Sequence, residues 1–260
     1  MGTGDQAELV VARRFRGPAQ SGNGGFVAGL LAECVDVPSM GTESCATEVT
    51  LRRPPPLETP MSVRRLPADG EHGEGAELLL GADLVAQART VDHAPDAVDT
   101  VDASLAAEAM AGYAGLRSHP FPGCFGCGPD REEGDGLRVF PGPVGEHLVA
   151  STWTPHQSLA VESDLIDGGV ARVGLPTAWA AMDCVGGWSE DVEGRPVVLG
   201  RMTARVDALP AVGETHVVVG RRLGAEGRKT FTASTIYDSD GRVVARAEHV
   251  WFVVDPAAFN

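Results

Sequence analysis

The chain repeats itself, and that restricts it to folds that can be built twice. Residues Gly22-Asn23-Gly24-Gly25-Phe26-Val27-Ala28-Gly29-Leu30-Leu31-Ala32-Glu33 run from a glycine-rich turn into an apolar helical pattern. Ile166-Asp167-Gly168-Gly169-Val170 forms a second such turn, and Thr177-Ala178-Trp179-Ala180-Ala181-Met182-Asp183 follows it with helical spacing. Strand-like segments come after each helix: Ala46 to Leu51, Met61 to Leu66, Ala76 to Leu80 and Leu84 to Val91 in the first half. In the second they are Val197 to Val206, Glu214 to Leu223, Lys229 to Tyr237 and Arg242 to Val254. Both sets close alike, Val85-Ala86-Gln87-Ala88 matching Val244-Ala245-Arg246-Ala247, each behind a turn. A helix followed by antiparallel strands is an α+β order, and it predicts two central helices, each wrapped by its own sheet.

Between the repeats, His93 to Pro120 is rich in Ala, Asp and Pro and lacks a two-residue period, apart from a helical run at Ala103 to Met110. The predicted organisation is an N-terminal unit over residues 1–95, a linker with a short helix over 96–120, and a C-terminal unit over 121–260. At 260 residues the chain is long enough for two ordinary cores.

Charge narrows the partners. A net charge of −15, from 36 acids against 21 bases, opposes binding to nucleic acid or to an anionic membrane, so neither is expected. No apolar stretch approaches the ~20 residues that span a bilayer, and Met1 to Val10 has no apolar secretory core, which predicts a cytoplasmic protein. Five cysteines, Cys34, Cys45, Cys124, Cys127 and Cys184, are irregularly spaced and are expected to stay reduced. Cys124 and Cys127 form a Cys-x-x-Cys pair, the spacing that supplies two ligands to zinc, with His119 near by. No second pair follows, so the plainer expectation is a thiol pair in a turn, with no metal and no cofactor.

Gly24-Gly25-Phe26-Val27-Ala28-Gly29-Leu30-Leu31-Ala32 and Glu48-Val49-Thr50-Leu51-Arg52-Arg53-Pro54 resemble segments of the double-hotdog acyl-CoA thioesterases of type II. Cys124-Phe125-Gly126-Cys127-Gly128-Pro129, leading to Gly136-Leu137-Arg138, is similar to the lead-in of the phenylacetate-type thioesterases. The resemblance covers almost the whole chain. It implies a tandem hotdog, with a ligand between the halves, the thioester near a central helix N-terminus, and coenzyme A phosphates on arginines outside. Unpaired amides at a glycine-started helix suit a developing oxyanion. Asn23, Gly24, Gly25, Asp167, Gly168 and Gly169 are therefore the expected substrate-binding positions, with Arg52 and Arg228 as the phosphate contacts.

Thioester hydrolysis needs a carboxylate to activate water, or to attack, and donors for the carbonyl oxygen. Asp183 is the first candidate, because Ala180-Ala181-Met182-Asp183 resembles the family helix that carries the catalytic acid and because a carboxylate in an apolar helix is costly. The alternative is that it caps the turn after its helix. The resemblance places Glu248 where the family has a Gln, and leaves the family's hydroxyl without a clear counterpart near Arg205 to Ala208. Glu33 mirrors Asp183 on the first helix but lies one residue late, a ~100° turn away from the family position. Asn23 and Asp167 stand where related enzymes have His.

The resulting expectation is an acyl-CoA thioesterase, a hydrolase acting on an acyl-CoA or similar thioester as a homo-oligomer of double units. A protein that holds acyl-CoA or a lipid-like ligand without turnover is the rival. A hydratase or dehydratase of acyl thioesters would need an Asp and a His five residues apart at the pocket, and no convincing pair is present.

Overall fold

Helix α1 (Gly24–Ala32) and a second helix at Leu175–Gly187 carry small or apolar residues on nearly every side, the pattern of helices enclosed by a core. A computed structural model of the chain describes residues 7–35, 45–68, 73–161, 169–190, 192 and 195–255. In it the two helices pack against each other, antiparallel, through glycines. A Cβ on Gly29 would lie 2.5 Å from Pro176 Cα, and one on Gly25 would lie 2.7 Å from the Trp179 carbonyl oxygen and 2.4 Å from Asp183 Cβ. The missing side chains at these two positions, one helical turn apart, let the backbones approach. The short intervening helix, α2, covers Ala103–Ala109, so the second buried helix is α3.

Around them, among the described residues, runs one antiparallel sheet of eleven strands in the order β1-β3-β4-β5-β2-β8-β11-β10-β9-β7-β6. The strands are β1 (Glu8–Leu9), β2 (Ala46–Leu51), β3 (Met61–Leu66), β4 (Gly75–Leu80), β5 (Asp83–Val91), β6 (Gly142–Gly145), β7 (Leu148–Trp153), β8 (Val197–Val206), β9 (His216–Glu226), β10 (Lys229–Tyr237) and β11 (Val243–Val253). The strands before and after the α2 segment meet where β2 pairs β8, with Val49 opposite Met202 and Thr50 opposite Arg201. Val49 and Met202 are fully buried. On the other face Glu48 lies 3.4 Å from both Arg89 and Arg201, so the seam has an apolar side and an ionic side.

Two features were not read from sequence. Strands β1, β6 and β7 extend the edges of the sheet, and the segment between β5 and β6 is docked on it at Val98 and Ala106. The Val98 amide donates to Thr235 Oγ1 at 2.9 Å, and the Tyr237 hydroxyl donates to the Val98 carbonyl at 2.6 Å. Val98 and Ala106 join Ala150, Val219 and Ala233 in a small second core outside the sheet. Among the described residues no helix is long and apolar enough to cross a membrane.

Candidate functional site

Asp183 lies one turn before the end of α3, which places its side chain beside the N-terminus of the antiparallel α1. Asn23 caps α1: its Oδ1 accepts from the Phe26 amide at 2.9 Å, while its Nδ2 donates to Asp183 Oδ2 at 3.1 Å. The Gly25 amide donates to the same oxygen at 2.8 Å. A carboxylate thus sits at the positive end of the α1 dipole and uses two first-turn donors. Its other oxygen, Oδ1, is buried and has no hydrogen-bond partner among the described residues. Burial raises the Asp183 pKa to about 7, against the opposing pull of the Gly25 amide and Asn23 and with the aid of nearby Cys124.

This carboxyl forms part of the wall of a cavity of about 430 Å³, together with Asn23, Gly24, Cys124, Trp188 and Trp251. Arg52 and Arg53 also line it and are exposed. Of the four tryptophans, Trp188 and Trp251 face the cavity. Trp179 is in the helix interface and Trp153 is buried in β7. Gly24, the first residue of α1, lines this wall, and the next two amides are taken by Asp183 and by the Asn23 side chain.

The same Asn23 nitrogen also faces sulfur. Asn23 Nδ2 is 3.6 Å from Cys124 Sγ and 3.8 Å from Cys184 Sγ, and these two sulfurs are 3.7 Å apart. Cys127 Sγ receives the Trp188 indole N–H at 3.4 Å and lies 3.3 Å from His119 Nε2. Hydrogen bonds from the Cys127 and Cys184 thiols hold Cys124 well below the ordinary thiol range. Cys127 is pushed up by burial, and Cys184 by its bond to Cys124. Cys124 and Cys127 reach this point because Phe125 packs edge-on against Phe26 and Phe15, 5.5 and 5.0 Å between ring centres, and its amide donates to the Arg16 carbonyl at 2.7 Å. Buried Arg131 braces the same loop by donating to the Gly123 and Arg14 carbonyls.

Asp183, Asn23, Gly24 and Gly25 are therefore brought together, but Gly25 acts differently from the expectation. Its bare Cα makes room for Asp183 and the α3 backbone, rather than for a ligand. Glu248 is corrected. On β11 the two-residue alternation turns His249 toward α3, where it meets Gly186 and Thr232, so Glu248 faces the other way and lies 3.6 Å from His93. Glu33 is also corrected: it follows the last turn of α1 and is exposed. Arg228 lies in the β9–β10 turn, exposed and donating to the Val253 carbonyl, and does not line the cavity. Asp167 and Gly168 fall outside the described residues. Gly169 is exposed with φ +83°, and α3 begins only at Leu175 behind Gly174, so this glycine does not start the helix.

Sequence reasoning missed Cys184 as a neighbour of the Cys-x-x-Cys pair, because 60 residues separate it from Cys124. It also missed the Gly25 amide as the partner of Asp183, since that contact joins the two repeats.

No protein-family model matches the sequence, and neither does any curated protein. Solved structures do match. A TesB protein of Mycobacterium avium subsp. paratuberculosis superposes with TM-score 0.62 at 10% identity, covering 98% of this chain and 96% of that one. An acyl-CoA thioesterase II, TesB2, of Mycobacterium marinum gives 0.56 at 14% identity, over 97% and 94%. A hotdog-fold protein of unknown function from Alicyclobacillus acidocaldarius gives 0.56 at 13%, over 98% and 96%. At these identities the likeness is one of fold: the chain shares the hotdog architecture over nearly its whole length.

Proposed function

We propose that the chain is a tandem hotdog, with units over 1–95 and 121–260 joined by 96–120, and that it hydrolyses an acyl thioester of coenzyme A. The observation that carries the reading is Asp183, a buried carboxylate with one oxygen fixed by Gly25 and Asn23 and the other unpartnered at a cavity wall. The fixed oxygen orients the group, and the free oxygen is the acceptor for a proton from attacking water. The adjacent Gly24 amide is suited to the thioester carbonyl as charge develops on it. Trp188 and Trp251 offer apolar surface to an acyl group, and exposed Arg52 and Arg53 at the same cavity suit phosphates. The names of the whole-length structural neighbours, two of them acyl-CoA thioesterases or TesB proteins, support this choice of substrate.

The test is release of coenzyme A from acyl-CoAs of graded chain length by the purified protein, with Asp183→Asn beside it. Release that depends on Asp183 is expected. No release across the series, or equal release by the variant, overturns the reading. Outward-facing Glu248 and the absence of a family-like Gln favour, as a second reading, a protein that holds the thioester intact. Calorimetric binding of a non-hydrolysable acyl-CoA without turnover would select it.

A further inference from the structure

Three sulfurs from two distant stretches of sequence converge beside this cavity. The Sγ atoms of Cys124, Cys127 and Cys184 all lie within 4.8 Å of one another and all three residues are buried. A disulfide would need about 2.05 Å between sulfurs. An ion with tetrahedral sulfur ligands at about 2.3 Å sets neighbouring sulfurs about 3.8 Å apart. The 3.7 Å between Cys124 and Cys184 fits the second geometry.

The sulfurs are surrounded by nitrogen donors. Nitrogen donors point at each of the three: the Asn23 amide at Cys124 and Cys184, the Trp188 indole at Cys127. His119 adds another. Its Nδ1 accepts from the Phe121 amide at 2.9 Å, which puts the ring proton on Nε2, and Nε2 stands 3.3 Å from Cys127 Sγ. His119 is thus a donor to the sulfur and not a nitrogen ligand. One hydrogen of Asn23 Nδ2 goes to Asp183, which leaves one for the Cys124–Cys184 pair, so three N–H donors serve the three sulfurs; metal-bound thiolates are commonly oriented by such outer donors. Glycines make the approach possible: a Cβ on Gly126 would lie 2.5 Å from Cys184 Sγ.

We infer that Cys124, Cys127 and Cys184 form a binding site for a zinc-class thiophilic cation, which ties the 119–128 loop to α3 beside Asp183. Three S–H groups give their protons to solvent as three metal–sulfur bonds form. The three residues line the cavity, so a fourth ligand is supplied from it. The sequence reading expected no metal because only the Cys124–Cys127 pair was recognisable as a unit. The inference goes beyond hydrolysis and does not need it.

Its test uses the full chain purified under reducing conditions. Zinc added to metal-free protein is expected to bind at one equivalent with proton release, and cobalt(II) to give a sulfur-to-metal charge-transfer band. Cys184→Ser should lose most of that band, Cys34→Ser should keep it, and His119→Ala should keep it. If Cys184→Ser fails to fold, alkylation of the wild type read by mass spectrometry decides. Zinc should protect Cys124, Cys127 and Cys184 and leave Cys34 and Cys45 reactive. Folded wild-type protein with no stoichiometric zinc and no charge-transfer band overturns the site, as does protection of a different set of cysteines. None of these readouts depends on coenzyme A release.

Discussion

The Gly25 amide donates to Asp183 Oδ2 at 2.8 Å, so the first turn of one central helix holds the acid carried by the other. Neither half of the chain contains this arrangement alone. Asp183 lies far along the chain from its two donors and the adjacent Gly24, 158 residues after Gly25 and 160 after Asn23.

Asp183→Asn should lower coenzyme A release by about 10²- to 10⁴-fold, the usual worth of a general base. The substituted carboxamide can still accept from Gly25 through its oxygen, so thermal stability should change little. Steady-state kinetics and thermal melting on the same preparation check both. A large loss of stability with intact turnover would assign Asp183 to packing.

Gly25→Ala should fail for a steric reason. The new Cβ would lie 2.4 Å from Asp183 Cβ and 2.7 Å from the Trp179 oxygen. Overpacking of this kind costs about 1–3 kcal/mol, and here it also displaces the acid, so stability and turnover should fall together. Denaturant titration with parallel assays reads it.

Asn23→Ala removes an N-cap worth about 1 kcal/mol and frees Asp183 Oδ2 of one donor. Turnover should drop by more than a modest stability loss explains, whereas Glu248→Gln, on the outer face, should leave turnover unchanged. A reversed ranking of the two variants in the release assay would place the site elsewhere.

His249 makes stability depend on pH. It is buried against Thr232, and burial lowers its pKa from 6.5 to about 4. Because the folded value is the lower one, the neutral ring contributes fully above pH 6.5, and the contribution is lost as pH falls toward 4. The shift corresponds to about 3 kcal/mol. Urea midpoints measured through this range should fall more steeply for the wild type than for His249→Gln; parallel slopes would remove His249 as the source.

Much of the fold was legible because its signals are local. Period-two patterning located β2, β3, β8 and β10 with their observed bounds, and the apolar runs located both buried helices. Strand β7, which pairs β6 just before it and β9 far along the chain, was not among the segments read as strands. The turn at Gly168 and Gly169 was read as feeding the second helix by analogy with α1, whereas α3 starts at Leu175, directly behind Gly174.

By itself, then, the sequence determined an α+β order of helices and antiparallel strands, two buried helices, and Asp183 as an acid whose place in an apolar helix needed a reason. Tertiary structure decided the rest: the β2–β8 seam, the outward turn of Glu248, the Gly25 and Asn23 donors, and the meeting of Cys184 with Cys124 and Cys127. The physical reason is range. Periodicity and capping act over a few residues, whereas the partners of a buried charge or a buried sulfur are set by which helices and loops pack together.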